Sequence, residues 1–340
     1  MGSIGVLTAG GDCPGLNAAI RGVVTRVTAA GKTVVGIEEG WEGLMEGRAR
    51  HLSRDDVRGV LARGGTILGT SRKDPYVHGD GLESVRATVE RMDIETVVVI
   101  GGDGSLRTAA HLQEEGLPVI GVPKTIDNDI GLTDVSLGFH TAVQIVVDAI
   151  DRLTTTAESH NRVMVVEVMG RDAGWIANAA GMAGGAEAIL VPEVEVDYED
   201  LARRIRARHE HGHDYSVVVV AEGTPGPSGD VSSMGEDPYG FTRIGGVCQS
   251  VAREIERLTG YEARPTILGY LQRGGSPTAF DRILGTRFGV GAAELALEGR
   301  SGVMVALRGE EVVAVDLEEA VARPRSLDPA RFEEAAWFFA

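Results

Sequence analysis

The chain is 340 residues long and 43% hydrophobic, which is enough for two domains, or one large domain, with a substantial core. Its formal charge of −17 argues against nucleic acid or an anionic membrane as a partner, and no apolar run approaches the roughly 20 residues that cross a bilayer. Two cysteines, Cys13 and Cys248, allow at most one bridge, so a disulfide scaffold is excluded and a reducing compartment, by default the cytoplasm, is expected.

The first predicted elements are a strand, a glycine turn and a helix. Residues 4–8 form a short apolar strand, the turn AGGDCPG covers residues 9–15, and residues 16–30 are a helical stretch. Such a turn, at the carboxyl end of a parallel strand, is a common place for ligands, because the N–H groups at the helix start point outward.

Six further apolar runs predict strands that alternate with helical stretches, and this alternation indicates an α/β fold with largely parallel sheets. The runs cover residues 33–37, 96–100, 118–122, 162–168, 188–191 and 216–220. Residues 138–159 predict a long amphipathic helix that could link two lobes. Its buried face would contain Val143, Val146, Val147, Ile150 and Leu153. Residues 225–239 are rich in Gly, Pro, Ser and Asp and predict an exposed loop.

A second glycine turn, GGDGS at residues 101–105, follows the apolar run VVVI and precedes a predicted helix. Glycine lets a phosphate approach the backbone amides without a Cβ in the way. Asp103 has the wrong charge to touch that phosphate, so we interpret it as a ligand, direct or through water, of a Mg²⁺ that bridges phosphate oxygens. The alternative is a simple tight turn in which Asp103 caps the helix. The repetition of strand, turn and helix favours the phosphate site.

The segment PKTIDND at residues 123–129 supplies a pair of carboxylates. If the segment is extended, alternate side chains share a face, so Asp127 and Asp129 can point into one site. Transfer of a phosphoryl group to a hydroxyl needs a group that accepts the hydroxyl proton, and a carboxylate is suitable. The alternative is an Asx turn in which both acids bond to the backbone.

These motifs resemble those of the phosphofructokinase family, and further motifs follow in the family's order. After TAGGDCPGLN, GGDGS and PKTIDND come MGRDAGW from Met169, AGGAE from Ala183, AEG ending at Gly223 and LGYLQRGGSP from Leu268. GGDG alone also occurs in NAD kinases and lipid kinases, whereas TIDND combined with MGR and QRGGSP is specific. The resemblance implies an α/β fold of two Rossmann-like lobes. The larger, donor-binding lobe would contain residues 1–138 and about 272–322, and the smaller, sugar-phosphate lobe residues 139–271 and about 323–340.

The resemblance also implies a reaction, the phosphorylation of fructose 6-phosphate at its 1-hydroxyl by ATP and Mg²⁺. Asp127 would be the general base, with Thr125 and Asp129 orienting the substrate and the proton path. Arg72 would contact the transferred phosphate and Arg171 would bridge the sugar phosphate and the transition state, both through planar guanidinium groups. The residues implied for binding the donor and its metal are Gly11, Trp41, Arg72, Lys73, Gly102, Asp103, Gly104, Ser105 and Lys124. Those implied for the sugar phosphate are Thr125, Asp127, Asp129, Arg162, Met169, Gly170, Arg171, Glu222, Arg264, Tyr270 and Arg273.

Arg162 and Arg264 match residues that family members lend to the 6-phosphate of a neighbouring subunit, which implies a homodimer or homotetramer. A monomer should then bind the sugar phosphate poorly. At Tyr270 the family usually has histidine. A phenol can hydrogen-bond a phosphate but carries no positive charge near neutral pH, so substrate affinity or its pH dependence is expected to differ.

Two positions that separate ATP users from pyrophosphate users in the family disagree here, a combination that resembles the mixed actinobacterial branch. Gly104 is the ATP-type residue, because an aspartate there would clash with the α-phosphate and ribose and repel them. Lys124 is the pyrophosphate-type residue, an added cation for a short, highly charged donor. Exclusion is the stronger determinant, so ATP is favoured and pyrophosphate is the alternative. Trp41 could flank a nucleotide, although a packed core or interface tryptophan explains it nearly as well.

The positions of the family's effector cleft are only partly matched. Arg21, Arg54 and Glu187 match, but Thr25 and Thr154 stand where allosteric bacterial members commonly have arginine. Each lost charge-assisted contact removes on the order of 1.5 to 3 kcal/mol, so phosphorylated effectors should bind weakly. We expect weak or altered responses when ADP and phosphoenolpyruvate are titrated against sugar-phosphate saturation curves, and strong ordinary responses to both would contradict this.

Two other classes of protein fit the residues less well. A non-catalytic sugar-phosphate sensor predicts the loss of an acid from Asp103, Asp127 or Asp129, and all three are present. A nicotinamide oxidoreductase predicts Gly-x-Gly-x-x-Gly followed by an acid on the second strand, and neither glycine turn has that pattern.

Overall fold

A computed structural model describes residues 2–77, 79–236 and 242–339 of the chain. The first elements are β1 (Ser3–Ala9), α1 (Leu16–Ala29), β2 (Val34–Ile37), α2 (Gly40–Glu46), β3 (Ala49–Leu52), α3 (Gly81–Arg91), β4 (Ile94–Gly101), α4 (Asp103–Glu114), β5 (Val119–Thr125), β6 (Leu137–Gly138) and α5 (Phe139–His160). The middle elements are β7 (Val163–Val168), α6 (Trp175–Ala183), β8 (Ala188–Leu190), α7 (Tyr198–Glu210), β9 (Ser216–Ala221), β10 (Ser233–Glu236), β11 (Thr242–Ile244), α8 (Val247–Thr259), β12 (Ala263–Ile267) and a 3₁₀ helix (Gly269–Arg273). The last elements are α9 (Ala279–Leu297), β13 (Val303–Arg308), β14 (Glu311–Asp316), α10 (Leu317–Ala322) and α11 (Pro329–Ala336).

The chain divides into two compact units. The first contains Met1–Thr141 and Arg273–Pro324, and the second contains Ala142–Gln272 and Arg325–Ala340. The chain passes from the first unit to the second inside α5.

The first unit is built on a sheet with the strand order β14-β13-β5-β4-β1-β2-β3, and β6 pairs with β5 outside this path. Strands β2, β1, β4, β5 and β13 run parallel, and only β3 and β14 are antiparallel to their neighbours on the path. All seven residues of β1 are buried, as are the last six of β4. Strands covered on both faces are typical of parallel sheets, which explains their nearly continuous apolar sequences.

The second unit contains a four-stranded sheet, all parallel, in the order β12-β7-β9-β8. Alternate valines of β7 and β9 form one core with α8, including Val163, Val165, Val218 and Val220. The predicted α/β fold with largely parallel sheets is confirmed, and each run predicted as a strand forms one.

The predicted loop at residues 225–239 is only partly a loop. Its described part contains β10, which pairs antiparallel with β11, and residues 237–239 lie outside the described residues. Because the prediction rested on composition, it missed a short hairpin whose strands have only four and three residues.

The predicted long helix is confirmed as α5, which has 22 residues. Its buried line contains Ala142, Val146, Ile150 and Ala157, while the other predicted core positions, Val143, Val147 and Leu153, are half-buried. None of the helices in the described ranges, α5 included, combines the length and apolar character needed to span a bilayer.

Candidate functional site

Three neighbouring strands of the first unit end side by side. Ala9 at the end of β1 is paired with Gly101 at the end of β4, and Gly101 is paired with Pro123 near the end of β5. Both glycine turns and the TIDND segment therefore leave the same edge of the sheet. Carboxyl edges of parallel sheets are the usual place for ligands in α/β proteins.

The first glycine turn is fixed by the segment that carries Arg72. The Gly10 N–H donates to the Ser71 carbonyl at 3.0 Å, and the Thr70 hydroxyl donates to the Gly10 carbonyl at 2.7 Å. Gly10 has a φ of 80°, and a Cβ there would lie 3.2 Å from the Ser105 hydroxyl of the second turn. The structure thus brings together the two glycine turns and the segment of the exposed Arg72.

Gly11 is covered by two cationic side chains. A Cβ at this position would overlap the Arg273 guanidinium, so only glycine allows the observed approach. The buried ammonium of Lys124 donates to the Gly11 carbonyl. Burial lowers the pKa of Lys124, and the negative charges of Asp12 and Asp127 oppose that shift. Arg273 was predicted for the sugar phosphate, and the structure directs it to this turn.

The second glycine turn leads directly into α4. Gly102 is the N-cap residue and Asp103 is the first helical residue, so Asp103 does not cap the helix. The Asp103 carboxylate is half-buried and accepts from Arg107 Nε at 2.8 Å. A Cβ on Gly104 would have no described atom within 4 Å, so the space beside this residue is open.

The TIDND segment is a turn, and the prediction that residues 127–129 are extended is wrong. Asn128 has a φ of 54°, a left-handed conformation that asparagine adopts more readily than most residues. Its side-chain oxygen accepts from the Ser136 N–H at 2.9 Å, and the Thr125 hydroxyl accepts from the Asp127 N–H at 3.1 Å. The alternation argument therefore does not apply to the two carboxylates.

One residue predicted for the donor lies in the core, and another has a partner within the chain. Trp41 is only 2% exposed and lies in the core with Leu7, Ile37 and Val99, so its suggested position as a nucleotide flank is wrong and the packed-core alternative holds. Its helix, α2, follows the buried strand β2 after two intervening residues. Lys73 makes an ion pair with Glu42 at 2.5 Å.

The second unit brings its candidate residues to the ends of β7 and β9. Val168 and Ala221 are paired, so Met169 and Glu222 follow adjacent strand ends. The Gly223 N–H donates to the Gly170 carbonyl at 3.1 Å, and a Cβ on Gly223 would overlap the Arg171 backbone. Gly170 itself has a φ of 134°. This close approach of two loops explains why the MGR and AEG motifs each contain a glycine.

Arg162 and Arg264 share one carboxylate. Arg162 contacts Glu262 at 2.9 Å, and Arg264 contacts the same Oε1 atom. The hydrogen bond from Arg162 holds the pKa of Glu262 below its usual range. The two guanidinium groups are therefore gathered around one oxyanion. Tyr270, on the 3₁₀ helix, is 71% exposed.

Three residues of these clusters were not predicted from the sequence. Ser136 holds Asn128, Glu262 holds the two arginines, and Gln272 accepts from the Met169 N–H at 3.1 Å. Gln272 belongs to the QRGGSP motif, which was a usable signal. Ser136 and Glu262 are common polar residues, and only their spatial neighbours identify them.

Two of the residues matched to an effector cleft, Arg54 and Glu187, have partners within the chain. Arg54 Nε donates to the Thr28 hydroxyl at 3.1 Å, and Glu187 makes an ion pair with Arg208 at 2.7 Å. Burial raises the pKa of Glu187, although its contacts with Val217 N–H and Arg208 act in the opposite direction. The Thr154 hydroxyl donates to its own helix, at the Ile150 carbonyl.

Comparison with known proteins decides the family. A family model described as "Phosphofructokinase" matches residues 3–296, a range that contains every candidate site residue. The chain belongs to the phosphofructokinase family.

Curated relatives of this phosphofructokinase-family chain carry two kinds of name. It is 50% identical over 98% of both chains to "ATP-dependent 6-phosphofructokinase 3" of Streptomyces coelicolor. It is also 50% identical, over 99% of both chains, to the "Pyrophosphate--fructose 6-phosphate 1-phosphotransferase" of Amycolatopsis methanolica. Among solved structures, it matches phosphofructokinase from Pichia pastoris with a TM-score of 0.84 and 32% identity, over 94% of this chain and 35% of that longer chain.

No group of three or more His, Cys, Asp or Glu side chains suited to a metal ion occurs within the described residues of this phosphofructokinase-family chain. Mg²⁺ usually binds through one or two carboxylates together with substrate phosphates and water, so a single carboxylate such as Asp103 is compatible with it.

Proposed function

We propose that this chain transfers the γ-phosphoryl group of ATP to the 1-hydroxyl of fructose 6-phosphate, giving ADP and fructose 1,6-bisphosphate. The observation that carries this proposal is the shared edge of β1, β4 and β5, from which two glycine turns and the Asp127 segment emerge together. Relatives that are 50% and 48% identical over nearly the whole chain are named for this reaction, which supports it. The cytoplasm is the proposed compartment, supported by two free buried thiols, Cys13 and Cys248.

In this proposal Asp127 accepts the proton of the 1-hydroxyl as the hydroxyl oxygen attacks the γ-phosphorus and ADP leaves. The Thr125 hydroxyl holds the Asp127 backbone and thereby the base. Arg72 and Asp129 act beside it, on the transferred phosphate and on the substrate hydroxyl. The glycine turns supply backbone N–H groups for the donor phosphates without a Cβ in the way.

Asp103 is the proposed contact to Mg²⁺. Asp103 is the first residue of α4, its side chain is 35% exposed, and it makes an ion pair with Arg107, so the carboxylate is accessible. When bound, Mg²⁺ would neutralise charge on the donor phosphates. Gly102 and Ser105 flank this carboxylate in the turn.

The sugar phosphate is assigned to residues of the second unit. Met169, Gly170, Arg171 and Glu222 follow the ends of two paired strands. Glu222 would accept hydrogen bonds from sugar hydroxyls. The half-exposed Arg162 and Arg264 already share an oxyanion, Glu262, and a 6-phosphate is a stronger ligand of the same type.

Pyrophosphate is the second candidate donor, and one specific observation favours ATP while another favours pyrophosphate. The open space beside Gly104 suits the α-phosphate and ribose of ATP. Lys124 lies at the glycine turn, where it could attract a short donor, but its ammonium already donates to the Gly11 carbonyl. Because that hydrogen bond gives Lys124 a role in holding the turn, its presence does not require a pyrophosphate donor.

One assay tests both parts of the proposal. Purified protein receives fructose 6-phosphate and Mg²⁺ with either ATP or pyrophosphate, and fructose 1,6-bisphosphate is measured through a coupled reaction. ATP should support turnover and pyrophosphate should support much less. If no product forms in either assay, the proposed reaction is wrong. If product forms with pyrophosphate but not with ATP, only the proposed donor is wrong.

We also propose a homodimer or homotetramer in which Arg162 and Arg264 act on the neighbouring chain's substrate. Arg264→Ala and Asp127→Asn should each be nearly inactive alone. Mixed after dissociation, they should recover about a quarter of the sites if pairs form at random, because one site of each mixed pair is intact. No recovery from mixed oligomers would mean that Arg264 serves its own chain.

A further inference from the structure

A buried carboxylate with no role in the proposed reaction lies near the TIDND segment. Asp281, in the first turn of α9, is 0% exposed. It accepts from the Gly138 N–H at 2.9 Å, the Thr141 N–H at 2.7 Å and the Thr141 hydroxyl at 2.5 Å. Burial raises the pKa of Asp281, and the hydrogen bonds from Thr141 and Gly138 oppose that rise. A buried carboxylate with three donors is expensive to remove and specific in its geometry.

Asp281 and Thr141 cap two helices reciprocally. The donors to Asp281 lie at the N-terminus of α5, where backbone N–H groups have no partner within the helix. In return, the Thr141 hydroxyl accepts from the Thr278 N–H at 3.1 Å, at the N-cap of α9. The two helix starts are thereby locked to each other.

Residues 136–138, which we call the strap, connect this lock to the TIDND segment. Within the strap, Gly138 is paired with Thr125 and Leu137 with Lys124. The Ser136 hydroxyl donates to the Thr125 carbonyl at 2.6 Å, and its N–H donates to Asn128. Thr125 and Asn128 flank the proposed base, so the strap contacts the segment on both sides of it.

The strap also contacts the first glycine turn. Cys13 Sγ donates to the Leu137 carbonyl at 3.3 Å, and burial raises the pKa of Cys13 to about 12, so it remains a thiol that can donate. Gly138 has a φ of 102°, and a Cβ there would lie 2.5 Å from Cys13 Sγ. The position of the strap is thus constrained by the glycine turn, the TIDND segment and Asp281.

We propose that Asp281 is a positioning residue for Asp127, acting through the strap. The inference rests on the proposed function, since it assigns Asp281 a role in the same transfer. Asp281 fixes Gly138, Gly138 fixes Thr125, and Thr125 fixes the Asp127 backbone through its hydroxyl. Small displacements of a reacting group can cost as much as 100-fold in rate.

The test is Asp281→Asn, with Asp316→Asn as the matched control. In either orientation an asparagine amide presents one NH₂ group to the donors at Gly138 and Thr141, so part of the lock is lost. Asp316 is the exposed N-cap of α10 and accepts from the Glu319 N–H at 2.9 Å, and asparagine caps helices as well as aspartate does. We expect kcat to fall by about 10- to 100-fold in Asp281→Asn, with the KM for fructose 6-phosphate nearly unchanged. Asp316→Asn should keep wild-type kcat.

A second pair of variants keeps the test informative if Asp281→Asn does not fold. Thr141→Ser retains the hydroxyl that donates to Asp281 and accepts from Thr278, whereas Thr141→Val removes it. We expect Thr141→Ser to keep kcat and Thr141→Val to lower it in the same way as Asp281→Asn. A purely structural role would instead lower thermal stability without changing kcat in the folded fraction, and that result overturns the inference.

Amide hydrogen exchange gives a readout that does not depend on activity. Peptides covering residues 124–138 should exchange faster in Asp281→Asn than in the wild type, and Asp316→Asn should not change them. If the wild type is active and these peptides exchange equally fast in Asp281→Asn, the role of Asp281 is overturned but the proposed function is not. A wild type without bisphosphate product overturns the proposed function, and the exchange measurement then still decides whether Asp281 fixes the strap.

Discussion

Asp127→Asn should lower kcat by about 10²- to 10⁴-fold while the KM for fructose 6-phosphate stays near its wild-type value, the range expected when a general base is lost. Asparagine has nearly the same shape as aspartate but cannot accept the hydroxyl proton. The Asp127 N–H still bonds to the Thr125 hydroxyl in the variant, so the turn should persist. Steady-state kinetics and a direct binding measurement with fructose 6-phosphate check the two parts separately.

Asp55→Asn is the control for this change. The Asp55 side chain is 83% exposed and makes an ion pair with Arg58 at 3.1 Å, so the kcat of Asp55→Asn should equal that of the wild type. Retained turnover in Asp127→Asn would remove Asp127 from the role of base. A large rise in KM without loss of kcat would give it a binding role instead.

The strands that carry the candidate residues could be predicted because their sequences are nearly all β-branched and buried on both faces. β4 and β9 are such strands, and each was predicted within about two residues, the usual uncertainty of element ends. The antiparallel pair β13 and β14 was not predicted. β14 is half-buried along most of its length and lies at the edge of the sheet, where its one neighbour on the path is β13.

The candidate residues could be named from their motifs, but their arrangement could not. Asn128 adopts a left-handed conformation, and its side-chain oxygen accepts from the N–H of Ser136, a residue eight positions away that lies outside the motif. Arg273 reaches Gly11 across more than 260 positions of sequence, and only the fold brings them together. For Trp41 the motif itself was misleading, because an aromatic residue next to glycines has the same sequence pattern in a core as in a ligand site.

Gly104→Asp should lower kcat/KM for ATP by about 100-fold, which corresponds to about 2.7 kcal/mol. The new carboxylate would occupy the open space beside residue 104, where the proposed α-phosphate and ribose lie, and like charges repel there. The change should not unfold the protein. Residue 104 is in the first turn of α4, where an acidic side chain interacts favourably with the helix dipole.

Gly104→Ala is the matched control, because it adds a Cβ to the same open space without adding charge, and it should keep ATP turnover. Measuring both variants with ATP and with pyrophosphate then separates two explanations of donor choice. If Gly104→Asp loses turnover with ATP but keeps turnover with pyrophosphate, exclusion of ATP at residue 104 sets the donor. Lys124 then already supplies the positive charge that the shorter donor needs. If Gly104→Asp still uses ATP as well as the alanine variant does, residue 104 does not set the donor. Selectivity would then have to come from the cations over Gly11, Lys124 and Arg273.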